Sequence, residues 1–160
     1  SSSWVIDVLA ENNYIYDSSI IPAKSNMYGT PNAEHSPYRI SSNSIEKNDS
    51  SGKLIEFPLL TTRFLGKKIP AAGGFYLRTL PTNVIKNAIK NYEKKGMPAT
   101  FYIHSWELTP EFMPRLDLPL KDKFVTYHNL DKAYSRMSQL LKHFEFTSFS
   151  RYIAENEMMI

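Results

Sequence analysis

The sequence predicts an α/β domain built on a largely parallel sheet. Strand-like and helix-like segments alternate along the chain, and residues 99–107 (ATFYIHSWE) form an apolar run of strand length that delivers a histidine and a tryptophan into a polar turn. A helical stripe, Val84, Ile85, Ala88, Ile89 and Tyr92, comes just before that run. The chain has 160 residues, 42% of them apolar and 13% aromatic, which suits a single domain, 1–160, with a real core. Only about four strands are visible, and so small a parallel sheet leaves edges that need pairing or covering, so self-association through them is expected.

Taken in order, Trp4, Val5, Val8 and Leu9 recur at helical spacing behind Ser1-Ser2-Ser3, and Asn12-Asn13 ends a helix over about 3–12. A chain that opens straight into helical periodicity with no initiator methionine is expected to begin inside a larger protein. Tyr14-Ile15-Tyr16 reads as a brief strand closed by Asp17-Ser18-Ser19. From about Pro22 to Gly52 the composition turns to Pro, Ser, Asn and Gly, with Tyr28, Tyr38, Arg39 and Ile40 scattered through it: a long excursion loop with a mobile tip at Ser41–Ser51.

Leu54 to Leu59 resumes as a strand, and Thr61 to Lys68 continues it or pairs with it. Pro70 to Arg78 reads as a Gly73-Gly74 turn followed by an aromatic pair. The two glycines imply close backbone approach but do not match a phosphate loop. Thr82 caps the next helix, and Gly96 ends it. After the 99–107 strand, Leu108 to Leu120 is rich in proline and irregular. Leu130, Ala133, Tyr134, Met137, Leu140, Leu141 and Phe144 make a final helical stripe capped near Asn129, with Met137 as core packing. Phe146–Phe149 reads as a last strand or turn, and Tyr152–Ile160 as a terminal helix or tail.

The charge balance, 19 basic against 16 acidic residues for a net +3, gives little support to nucleic-acid binding, because the lysines are spread over several segments. Without cysteine there is no disulfide framework, thiolate zinc site or cysteine nucleophile. No stretch approaches the ~20 continuous apolar residues of a membrane span, and the first residues given lack the charged start and apolar run of a signal peptide.

His104 stands out because a residue at the carboxyl end of a parallel strand lies where such sheets bind ligands, although a lone histidine is more often a satisfied core or rim residue than a catalyst. His35 and His128 read as loop residues and His143 as a surface residue. None of the four histidines has another at i+3 or i+4 for a metal site.

Five separated patches also resemble a known family. They are Tyr16 to Ile20, then Pro31-Asn32-Ala33 with Pro37-Tyr38-Arg39-Ile40, Glu56-Phe57-Pro58, Ala72 to Arg78, and Phe101 to Leu108. In that order they resemble the C-terminal half of NodB-type polysaccharide deacetylases, in the subgroup linked to bacterial exopolysaccharide production. The resemblance implies the second half of an irregular (β/α) barrel, mostly parallel strands with flanking helices. It implies hydrolysis of the acetamide of an N-acetylated polysaccharide, with a divalent metal, commonly zinc, and an aspartate base. It leaves the cytoplasm and the envelope both open as locations.

His104 falls on the family's last motif, where the histidine protonates the departing amine, a role that suits a ring titrating near neutrality. Asp17 takes a supporting role at an earlier strand end, with a turn aspartate as the rival reading. Arg78 holds a carboxylate partner or a sugar oxygen, against the alternative of a surface arginine. Trp106, with Tyr76 and Tyr38, is expected to line a sugar groove, with core packing as the rival.

The family's N-terminal motifs are missing: no Asp-Asp pair, no His-x-x-x-His and no Arg-x-Pro precede these residues. No metal ligands are therefore assigned here. The chain is expected to carry the proton donor, with metal and base in a missing N-terminal half, and to be inactive alone. Two other readings remain: a non-catalytic carbohydrate-binding or assembly module, and a piece that dimerises through its sheet edges.

Overall fold

Leu54, Ile55 and Glu56 form β3 (Leu54–Glu56), buried throughout, and the sheet is arranged on either side of it. The computed structural model describes residues 3–24 and 29–158; Ser1, Ser2 and Tyr28 lie outside them. On one side β1 (Tyr16–Asp17) runs parallel to β3, placing Tyr16 beside Ile55 and Asp17 beside Glu56. On the other side β2 (Tyr38–Ile40) runs antiparallel. The chain returns from β2 to β3 through turns with no helical crossover, which is why that pair is antiparallel.

The largely parallel sheet expected from sequence is therefore a mixed one, and among the described residues there is no closed barrel. The excursion loop contributes β2. Its supposed mobile tip is held by Ser41 Oγ donating to Asp49 and by Tyr38 Oη donating to the Ile45 carbonyl at 2.6 Å.

Beyond β3 the chain stays extended but its ladder is interrupted, because Pro58 has no N–H to donate. Phe57 still donates to the Asp17 carbonyl at 2.8 Å, Leu59 to Ile20 at 2.9 Å and Leu60 to Thr100 at 3.0 Å. Residues 99–107 are accordingly no full strand: their pairing is a single parallel bridge between Thr100 and Leu59. The Leu60 carbonyl accepts from Ala71 and Ala72 instead, as the neighbouring chain turns away into a hairpin.

That hairpin is β4 (Thr61–Phe64) and β5 (Lys67–Pro70), closed by Leu65 and Gly66 at φ 49° and 76°. Two successive positive φ values give the tight turn whose twist matches antiparallel strands.

Helices cover these layers. On α1 (Trp4–Glu11), Ile6, Leu9 and Ala10 pack against Ile20, Ala33, Tyr38, Ile40 and Leu54, while Trp4 and Val8 stay exposed. Pro70–Arg78 is more than a turn: α2 (Gly74–Thr79) starts at the second glycine. On α3 (Thr82–Glu93), Ile85, Ala88, Ile89 and Tyr92 are buried at the predicted spacing, and Gly96 at φ 68° ends the run. Each fully buried Leu or Ile of this face contributes about 1.5–3 kcal/mol.

A short α4 (Ser105–Leu108) leads into irregular chain, then α5 (Leu120–Tyr127), which has no buried residue and no strong sequence stripe. In α6 (Ala133–Leu141), Ala133 and Leu140 are buried and Met137 packs on the core. Phe146–Phe149 forms no strand; Ser148 caps α7 (Phe149–Glu155) by accepting from Arg151 N–H. No residue of α7 is buried. Phe149 stacks on Phe57 at 4.2 Å between ring centroids and 18° between planes, with Tyr16 edge-on to both.

Two glycines test this packing. A Cβ at Gly52 would meet the Ile40 backbone at 2.5–2.9 Å, whereas one at Gly66 would meet open space. Gly52→Ala is expected to cost about 2–3 kcal/mol in urea unfolding and Gly66→Ala roughly 1 kcal/mol, the latter from φ alone.

Candidate functional site at the start of helix α4

His104 is the residue before α4, in extended conformation at φ −83° and ψ 147°. Three residues on, Glu107 turns its side chain back, and its Oε2 accepts from the His104 backbone N–H at 3.1 Å and sits 3.2 Å from His104 Nδ1. This reach-back from the third helical position satisfies a donor at the helix start. It also fixes the ring. A carboxylate only accepts, so Nδ1 carries the hydrogen and Nε2 is the nitrogen left on the exposed side of an imidazole that is 56% exposed.

The other oxygen of Glu107 belongs to Arg78 of α2. Arg78 donates to Oε1 from Nη2 at 3.0 Å and from Nε at 3.2 Å, and the two side chains are 1% and 2% exposed. The Nε hydrogen is shared with the Gly74 carbonyl at 3.2 Å, and the remaining Arg78 donors reach carbonyls of Val125, at 3.1 Å, and of His128 beyond the end of α5. Carbonyls at a helix C-terminus carry partial negative charge, so this cation is matched on both sides. Arg78 thus holds a carboxylate partner; the surface-arginine and sugar-oxygen readings do not fit a guanidinium buried this deeply.

The Gly73-Gly74 pair makes room for the arrangement. A Cβ on Gly74 would overlap the Glu107 carboxylate, and Gly73, at φ 92°, lies against the Tyr102 ring. Close approach at these glycines was legible in the sequence. Trp106 stacks on the His104 ring at 5.6 Å and 19°, and Tyr102 meets it edge-on at 5.4 Å.

His104, Arg78 and Trp106 therefore converge around Glu107, a residue sequence reasoning passed over although the His-x-x-Glu spacing signals it. Tyr76 is half-buried on α2, packed against the core and edge-on to Phe75. Tyr38 is a correction: it is 5% exposed in the core under α1, its hydroxyl donates to Ile45, and it lines no groove. Burial beside Glu56 pushes its phenol well above the usual range.

Asp17 belongs to a second group. Beside it in the parallel register, Glu56 is fully buried, and Oε1 accepts from Ile20 N–H at 2.8 Å and Ser19 N–H at 3.1 Å. Oε2 is buried with no hydrogen-bond partner. Burial pushes the Glu56 carboxyl up to about 7, the two N–H donors oppose this, and the neighbouring Asp17 charge adds to it. A proton on Oε2 would give that atom a donor to turn toward Asp17.

Among the described residues no three carboxylates or imidazoles come together as a metal site. Beside His104, the Glu107 carboxylate is already engaged by Arg78 and His104, so zinc does not fit the donors present.

Both groups yield tests. Gly74→Ala is expected to expel Glu107 and strand Arg78, costing about 3–5 kcal/mol in urea unfolding. The folded chain holds the Glu56 proton more tightly than the unfolded one. The stability this contributes is full below pH 4.5 and is lost as pH rises to about 7. Glu56→Gln, which stays neutral, is expected to remove a fall on the order of 2 kcal/mol between those values when unfolding is followed against pH.

No curated protein and no solved structure matches the chain. Residues 18–154, a span holding Glu56 and the whole Arg78–Glu107–His104 group, match the family described as "Domain of unknown function (DUF3473)". The chain belongs to that family.

Proposed function

We propose that the chain supplies the proton-donating portion of a polysaccharide deacetylase, its fold being the second half of a NodB-type barrel. The observation that carries this reading is the exposed His104 ring, with Nδ1 held by a buried, arginine-bound carboxylate and Nε2 left available. In acetamide hydrolysis, water adds to the carbonyl carbon and the tetrahedral adduct breaks its C–N bond. His104 enters this step as the imidazolium, with a hydrogen on each ring nitrogen; the departing nitrogen takes the Nε2 proton and leaves as the amine, and the ring is left neutral with its Nδ1 hydrogen donated to Glu107. Glu107 keeps the tautomer and stabilises the charged ring, and Arg78 holds Glu107 in place. Trp106, stacked on the ring, offers a flat apolar face to a pyranose.

The base and a divalent metal, zinc by the same resemblance, would belong to the preceding half of the barrel. That half would pair along β1, an edge strand flanked by Tyr14 and Ile15 at 58% and 55% exposure. With no partner there, the isolated chain would pair with itself. Asp17 and Glu56 would lie in the sheet behind this edge, in a supporting role.

The test is acetate release from N-acetylglucosamine oligomers with added zinc, using this chain and a version preceded by the remaining half. Turnover is expected only in the longer protein. There, His104→Ala should lower kcat by about 10²–10⁴-fold. Glu107→Gln should lower kcat by roughly 10–100-fold with KM little changed. Turnover by the short chain alone would refute the proposal. Sugar binding without turnover, lost on Trp106→Ala and kept on His104→Ala, would favour a binding module.

A further inference from the structure

A cavity of about 600 Å³ opens between the β4–β5 hairpin and the C-terminal end of α3, and it shares no lining residue with the His104 or Glu56 groups. Four cations line it: Arg63 and Lys68 from the hairpin, Lys94 and Lys95 from just beyond α3. No carboxylate lines it. Among the described residues none of these four makes an ion pair, and the nearby Glu34 is engaged by Lys47 at 3.2 Å. The helix C-terminus accounts for lysines at 94 and 95. It does not account for two more cations brought in by a different element.

Like charges gathered in a concavity repel one another, and burial with Arg63 nearby lowers the Lys68 pKa. The cavity also has a built polar wall. Tyr92 Oη lies 2.9 Å from His35 Nδ1 and 3.1 Å from Thr61 Oγ1, and accepts from the Thr61 N–H at 3.3 Å, with Thr61 and Tyr92 both buried. Burial and the charges of Lys68 and Lys95 lower the His35 pKa, against the opposing pull of Glu34. With Nδ1 engaged by Tyr92, the His35 ring has Nε2 left for a ligand.

We infer that this cavity binds a phosphoryl dianion on Arg63, Lys68, Lys94 and Lys95, with room over Ala88 and Met97 for a sugar-sized body carrying it. A carboxylate brings one charge and two oxygens to four cations. A phosphate monoester brings about two charges and three oxygens, and the volume exceeds what the anion alone fills. Nucleic acid is the weaker reading, because these cations converge on a hollow and do not follow a stripe, and the chain's net charge is only +3.

Calorimetric titration of the whole chain with glucose 1-phosphate, inorganic phosphate, glucose and a single-stranded oligonucleotide tests this. Glucose 1-phosphate is expected to bind where glucose does not, and to weaken as salt is raised. Inorganic phosphate binding as tightly would mark free phosphate as the source, whereas weaker binding would mark a phosphorylated sugar. Arg63→Gln with Lys95→Gln, both exposed positions, should weaken binding by about ten-fold, while Lys121→Gln with Lys123→Gln should leave it unchanged. Circular dichroism checks that each variant is folded. The inference is overturned if neither phosphate binds better than glucose, if the two pairs of variants behave alike, or if the oligonucleotide binds more tightly than either phosphate.

Discussion

The buried pair between Arg78 and Glu107 is the interaction on which the arrangement around His104 depends. Two charges removed from water cost several kcal/mol each, and their attraction offsets that only when every remaining donor and lone pair is engaged. Here they are engaged. One carboxylate oxygen takes two Arg78 donors, one of them shared with the Gly74 carbonyl of α2, and the other oxygen faces His104, while the rest of the guanidinium reaches carbonyls at the end of α5. Three short helices, none long enough to be stable alone, are joined through one planar cation. A neutral substitute at position 78 would keep the volume and lose the convergence.

The second ionisable group sits in a different physical setting. Glu56 occupies the central strand of a three-stranded sheet, where an apolar residue would be ordinary, and two backbone N–H groups hold one of its oxygens. Among the described residues no cation pairs with it, and only those two N–H donors oppose the effect of burial. Glu107 and Glu56 are thus two buried carboxylates with opposite surroundings, one held by a guanidinium and one beside another acid.

Much of this was legible in the sequence where local pattern and tertiary packing agree. The α3 stripe, the Gly96 stop, the core role of Met137 and the close approach at Gly73-Gly74 all follow from spacing or from glycine alone. The failures share a cause: long-range hydrogen bonding decided them. Residues 99–107 have strand composition, but Leu60 gives its carbonyl to the hairpin, so pairing stops at Thr100. Helix α5 buries nothing and is tied at its end by Arg78, a partner about 50 residues away that no periodicity reveals. Tyr38 looked like a groove residue because aromatic content in a loop carries no sign of which side faces inward. Glu107 was visible as His-x-x-Glu but was masked by the stronger apolar signal around it.

The stack of Phe149 on Phe57 fixes how the C-terminal region behaves. Since α7 buries no residue of its own and meets β3's continuation through rings at Phe57, a local opening of this helix would leave β3 closed. Amide protons of residues 149–155 would then exchange with solvent far faster than those of α3, and each such opening would bare an aromatic face on the sheet to whatever else is in solution.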